Sequence, residues 1–495
     1  MIKKYLRSPF IILFFILILG LFFRLYKLEI FYSWGHDQDL FAWIAKDIVI
    51  DHHLRLIGQE TSITGVFIGP IFYYLMAVSL ALFNMNPLGA NISAVIISLS
   101  TIVSIYWVFS QFFGKKIGLT GAFFYAVSPG IILFDRWIVP TQPTSLWCVW
   151  FLYILLSILK GNFPLVLLGL LIGLIWHVHV AFIPLLILIP IAWWLSKMQG
   201  YRIKITAKSI VISLLLIFTL LLPFFTFEIR HGFQQIKGLT RATYEEKGDV
   251  KGMDRLRKVF NVSGRALSGI VLLDKNASLP KEFFMSLVPL LLLLIFYLYK
   301  TKIITRNQTV IIGLWIGIDL LGQFLSKRSI PEYYFANFIV VQILVISVFI
   351  STFNLKRGLS FTPLLLGMYL FAATFWFVTQ PDDPGGFLQK RRAIEYIKNN
   401  AGNKGYPCVA INFIEGYEGL PNGFRYLFWL NNLKIITPGN DIPVYSIVTP
   451  WTISANEINA KFGVFGIIEP PSKIVDPELC SDSSRQLLPI WGFTN

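Results

Sequence analysis

The residues best suited to chemistry gather near the N-terminus, in Gly35-His36-Asp37-Gln38-Asp39, and an apolar stripe of Leu40, Phe41, Ile44, Ala45 and Ile48 follows them. The stripe has helical spacing, so Asp37 sits just before a first turn, where backbone N–H groups and the helix dipole stabilise a carboxylate. Two readings of Asp37 stand side by side: a plain N-cap, or a base that takes a proton from a hydroxyl. Asp37 and Asp39 also form an Asp-x-Asp pair of the type that holds a divalent cation through oxygen ligands, which leaves metal binding open. Further along, Asp135-Arg136 reads as an interfacial ion pair. His177 and His179, in Trp-His-Val-His, are spaced wrongly for two metal ligands on one helix face, and His179 reads better as the hydrogen-bonding wall of a cavity. Asp319 lies inside an apolar run, where a carboxylate costs a few kcal/mol and lines a cavity or meets a base. Lys327, Arg328, Tyr333 and Tyr334 come just after that run.

The scaffold that must position these groups is a membrane one. The 495 residues are 55% hydrophobic and 14% charged, against about 25% charged in soluble proteins. The net charge of +16 does not mark a nucleic-acid binder, because the basic residues sit in short loops between apolar runs and so report topology. Eleven runs are expected to span, near 8–27, 88–112, 117–134, 143–160, 164–180, 181–196, 208–228, 283–300, 308–325, 335–353 and 359–379. The first reads as a retained signal anchor. Pro70–Phe83 covers only about 21 Å at helical rise, and counting it as a span would turn every acid-free basic loop outward. It is therefore expected to be interfacial or re-entrant. With eleven spans the N-terminus is cytoplasmic and the tail is outside. The expected fold is an all-α polytopic membrane domain over 1–380, with outer loops at 29–87 and 229–282, and a small α/β domain over 381–495. The helix after Asp37, with Asp39 and Lys46 off its apolar stripe, should lie along the membrane surface. Cys408 and Cys480 both fall in the tail, and a disulfide between them is open outside the cytoplasm.

Asp37-Gln38-Asp39-Leu40-Phe41-Ala42-Trp43-Ile44-Ala45-Lys46-Asp47-Ile48 resembles the "DE-x-RYA-x-IA-x-EM" stretch of the GT-C glycosyltransferases, which include protein O-mannosyltransferases and lipid A aminoarabinose transferases. Gln59-Glu60 and Gly69-Pro70-Ile71-Phe72-Tyr73-Tyr74-Leu75 resemble the family's acidic residue followed by "KPPLYYWL". There are two departures: Gln38 replaces the second acid and Gly69 the lysine before the proline. The resemblance implies that Asp37 is the catalytic carboxylate and Glu60 the second acid. The implied reaction is inverting transfer of a sugar from a polyprenyl-phosphate donor to a protein, lipid or glycan acceptor, at the outer face of the plasma membrane. It implies no required metal, although the Asp37/Asp39 pair keeps a divalent cation open. Arg136, Lys327 and Arg328 are the cations on the expected face for the donor phosphate. An apolar groove beside the site is expected for the polyprenyl tail. The alternative is a lipid-linked oligosaccharide transporter or polymerase, which shares the topology but does not need an acidic first loop.

Overall fold

The computed structural model describes residues 8–244, 250–271, 279–326, 329–352, 361–415, 423–454, 456–485 and 487. The expected cations Lys327 and Arg328 lie outside the described residues. Each expected span is helical. Among the described residues, six helices are long and apolar enough to cross a membrane: Pro87–Phe113 (a 3-10 turn, then α4, Asn91–Phe113), Val180–Met198, Ala207–Arg230 (α10), Lys281–Lys300 (α13), Arg306–Leu325 (α14) and Thr362–Thr379 (α16). Val180–Met198 joins a 3-10 stretch to α9, Leu188–Met198. A seventh is broken: α5 (Lys115–Val127) and α6 (Pro129–Arg136) meet at 61°, because the residue before Pro129 is driven out of helical geometry. Four shorter apolar helices fill the other expected positions, α1 (Pro9–Leu25), α7 (Thr144–Leu159), α8 (Leu165–Val178) and α15 (Phe338–Ser351). Their packed faces share one core, whereas Leu214, Leu215 and Phe218 of α10 remain exposed. The protein is thus a multi-pass membrane protein.

Two further helices, α2 (His36–Ile50) and α3 (Ile71–Leu82), contribute to a second core, apart from that of the bundle. Between α10 and α13 come α11 (Gln234–Tyr244) and α12 (Gly252–Val271). The tail forms α17 (Phe387–Asn403), β1 (Ala410–Glu415), α18 (Arg425–Leu430), β2 (Val444–Thr449), β3 (Ala460–Phe462) and β4 (Phe465–Ile468). The sheet runs β1-β2-β4-β3, with β1 and β2 parallel and the other pairs antiparallel. Cys408 and Cys480 are joined in a disulfide.

The α2 helix packs on the tail: residues 38–42 are buried, and Phe41, Ala42 and Ile44 share a core with Ile394, Tyr426, Tyr445 and Ile467. One expectation needs correction. Asp135 pairs with Arg24 of α1, not with its neighbour Arg136: Arg24 Nε donates to Oδ2 at 3.0 Å and the Tyr125 hydroxyl donates to Oδ1 at 2.9 Å. Side-chain reach, not adjacency in the chain, decides which charges meet at the break between α5 and α6.

Candidate active site

Asp37 is the second residue of α2. It is not the N-cap, because that position is Gly35, whose N–H donates to Gln38 Oε1 at 3.0 Å. The Asp37 carboxylate is half-buried and lines a cavity of about 490 Å³. Gln59 Nε2 donates to its Oδ1 over a long 3.5 Å. Burial raises its pKa above the ordinary carboxylate value and outweighs the lowering effect of His36.

The next two residues have different surroundings. Gln38 is buried and donates from Nε2 to Ile138 O at 3.2 Å, which ties α2 to the segment after α6. Asp39 is only 1% exposed and does not line the cavity with Asp37. Its Oδ1 accepts the Tyr426 N–H at 2.8 Å and its Oδ2 the Arg425 N–H at 3.2 Å. Burial pushes Asp39 up to about 7, against the lowering effects of those two N–H groups and of Lys390 and Arg425. The Asp37/Asp39 pair therefore does not converge on one point. Among the described residues, no cluster of three or more His, Cys, Asp or Glu has the arrangement of a metal site.

The opposite wall comes from residues 58–69, folded back on themselves by Gly58 N–H to Ile68 O (2.7 Å) and Thr61 N–H to Val66 O (2.8 Å). This loop is fastened to α11 by Phe67 N–H to Gln235 Oε1 (2.9 Å) and to α8 by Trp176 Nε1–H to Phe67 O (2.8 Å). Glu60 stands exposed at the cavity, with Oε1 accepting the Gly65 N–H at 2.6 Å. At Gly69 an added Cβ would lie 2.0 Å from His177 Nδ1. The imidazole fills the space that a side chain at this position would need, which accounts for the missing lysine of the resembled motif.

His179, Tyr333 and Tyr334 form an aromatic wall in the same cavity. The His179 ring lies 4.8 Å from Tyr334 and 5.9 Å from Tyr333, and Trp137 lies 6.1 Å from Tyr333. His179 Nδ1 accepts the Ala181 N–H at 3.1 Å, so in the neutral ring Nε2 carries the proton. Burial pushes Tyr333 up to about 12, which keeps it a neutral hydroxyl. Aromatic faces, hydroxyls and a carboxylate in one recess suit a sugar, whose C–H faces pack on rings while its hydroxyls find polar partners.

Trp137 and Tyr333 also line a second cavity of about 620 Å³, where Arg136 and Arg265 stand with the carboxylates Glu332 and Asp383 and with apolar residues of α6, α12 and α15. Arg136 is 3% exposed. Its Nη2 donates to the carbonyls of Phe23 and Tyr26, while among the described residues its Nε and Nη1 have no partner. The Arg265 guanidinium lies 4.3 Å from the centre of the Phe284 ring. A third cavity of about 460 Å³ shares Pro140 and Val178 with the first and is lined by apolar side chains such as Phe72, Leu146, Leu171 and Leu174.

One cavity thus brings together Asp37, Glu60, His179, Tyr333 and Tyr334. Arg136 stands across the Trp137–Tyr333 wall, and Asp39 belongs to the interface with the tail. Asp319 does not line this cavity, to which α14 contributes Gln323 and its helix end contributes Ser326. Sequence reasoning misses Trp137, and it marks Arg265 only as one of the basic residues of the outer loop 229–282, with nothing in its neighbours to set it apart.

No family model and no curated protein matches the chain. Among solved structures it is similar to ArnT of Cupriavidus metallidurans bound to undecaprenyl phosphate, at 12% identity over 94% of this chain and 98% of that one, with a TM-score of 0.59. The apo state of the same protein matches at 12% identity over 92% and 98% of the two chains, with a TM-score of 0.54. The oligosaccharyltransferase of Archaeoglobus fulgidus matches more loosely, at 13% identity over 90% and 68%, with a TM-score of 0.47. ArnT is an aminoarabinose transferase of the GT-C class, and its likeness covers nearly the whole of both chains. The chain has the membrane fold of the GT-C glycosyltransferases.

Proposed function

We propose that the protein is an inverting glycosyltransferase that moves a sugar from a polyprenyl-phosphate donor to an acceptor hydroxyl, with Asp37 as general base. The observation that carries this reading is the Asp37 carboxylate. It lies at the head of α2, weakly hydrogen-bonded and raised in pKa by burial, and it faces an aromatic cavity within a GT-C fold. A base of this kind takes the acceptor proton as the acceptor oxygen attacks the anomeric carbon. The bond from that carbon to the phosphate oxygen breaks on the opposite face, and polyprenyl phosphate leaves. Such general-base assistance contributes typically about 10²–10⁴-fold.

In this reading the donor phosphate sits with Arg136 and Arg265, whose guanidinium groups offset the charge that grows on the leaving oxygen. The sugar packs on the Trp137–Tyr333 wall, and the acceptor approaches from the cavity lined by Asp37, Glu60 and His179. Apolar residues of the same cavity as the two arginines, among them Ile131, Leu133 and Ile339, receive the first hydrocarbon of the carrier. Undecaprenyl phosphate bound to ArnT supports a carrier of that class. The reaction is placed outside the cytoplasm of the plasma membrane. The basic loops support this sidedness, as does the Cys408–Cys480 disulfide, a bond that persists in oxidising compartments. Chemistry without a required metal is part of the proposal.

The test is transfer by the purified protein from a panel of labelled polyprenyl-phosphate sugars to a membrane and protein extract, with and without chelator. The expected result is donor-dependent labelling of the extract and release of polyprenyl phosphate, both insensitive to chelator. Consumption of no donor, or flipping of intact lipid-linked sugar across vesicles without bond cleavage, would replace the transferase by a transporter.

A further inference from the structure

The inference drawn here rests on the reading of Asp37 as the base. Three consecutive residues in the first turn of α2 meet three different parts of the molecule. Asp37 faces the cavity, Gln38 is bonded to Ile138 O beside the cavity wall, and Asp39 is bonded to the backbone of the tail at Arg425 and Tyr426. In a helix, residues two apart lie about 200° around the axis, so a hold on Asp39 acts on the side of the helix away from the cavity. We infer that Asp39 is a positioning residue for Asp37, and that through it the C-terminal unit is a working part of the transfer site and not an appendage.

Other contacts locate the same seam. Trp34 Nε1–H donates to Gly423 O at 2.7 Å, Lys390 Nζ donates to Trp34 O at 2.6 Å, and the Tyr426 hydroxyl donates to Met85 O at 2.7 Å. An added Cβ at Gly423 would lie 2.8 Å from the Trp34 ring, so the tail backbone is pressed directly against the approach to α2. Among these ties, Asp39 is the one made by the catalytic helix itself. It supplies two acceptors to the first N–H groups of α18, which have no partner within that helix. Loss of both acceptors frees the Asp39 side of α2 while the hydrophobic contact between the two units remains. The expected result is a shift of the Asp37 carboxylate, not unfolding.

The experiment compares wild type, Asp39→Asn, Asp39→Ala and, as a control elsewhere in the tail, Asp441→Asn, which removes the surface pairing with Arg485. Two readouts are taken on folded, monodisperse full-length protein: steady-state transfer, and amide exchange over residues 36–42 and 423–427. For Asp39→Ala the inference predicts faster exchange in both segments and a fall in kcat of about 100-fold, the scale of a misplacement near 1 Å, with donor KM within about threefold. Asp39→Asn, which keeps one acceptor, should fall between Ala and wild type, and Asp441→Asn should match wild type in both readouts. Unchanged exchange at 36–42 in Asp39→Ala would overturn the inference, as would a loss of yield with kcat per folded molecule unchanged. If wild type transfers no sugar, the transferase reading fails, and the exchange comparison still decides whether Asp39 holds α2.

Discussion

At Asp37-Gln38-Asp39 three adjacent polar side chains do three different things, and their environments, not their types, set them apart. Gln38 illustrates the point because the resembled motif has an acid there. Its amide accepts from Gly35 N–H and donates to Ile138 O, a combination that no carboxylate can make. Gln38→Glu should remove the donor and set a negative oxygen against a carbonyl, at a cost of about 1–3 kcal/mol for the buried unsatisfied group. Thermal unfolding should detect this as a lower Tm, accompanied by a lower kcat; an unchanged Tm would mean that the Ile138 contact carries no weight. Asp37 was legible from its motif, whereas its spacing fitted a cap equally well. Asp39 was not legible. Its partners lie 386 and 387 residues away, and no local pattern signals a contact that only the closed fold creates.

At the scale of elements, apolar length revealed the helical runs, including the short Ile71–Leu82. The break at Ser128–Pro129 and the packing of α12 were missed, for related reasons. Hydropathy averages over a proline, and α12 reads as a charged loop because only one side of it is buried, through Val259, Leu267 and Ile270. Glycine seats this helix. A Cβ at Gly264 would lie 1.8 Å from Phe284 O of α13, and one at Gly130 would lie 2.6 Å from Gly269 O. Both contacts flank Arg265 and hold it at the cavity that it shares with Arg136. Gly264→Ala must part α12 from α13, and overpacking of this kind costs about 1–3 kcal/mol. The variant should show a raised donor KM with the acceptor KM unchanged; a donor KM equal to wild type would remove Arg265 from the donor site.

The whole molecule is less divisible than its sequence suggests. A boundary near residue 381 separates apolar from mixed composition, yet α2 and α3 share a core with the tail, so the first loop and the last hundred or so residues fold against each other. Composition reports what a segment is dissolved in, not what it packs on. This arrangement puts Asp37, the proposed acceptor of the proton, where the bundle, the loop of residues 58–69 and the tail meet. The most direct measurement is transfer by Asp37→Asn beside wild type across pH, with folding verified in each sample. Because burial raises the Asp37 pKa and the base acts when deprotonated, wild-type kcat/KM should rise with pH through a limb above the ordinary carboxylate value of about 4, then level off. Asp37→Asn should lose about 10²–10⁴-fold, and that limb with it. A variant as active as wild type, or one that keeps the same acid limb, would contradict the account.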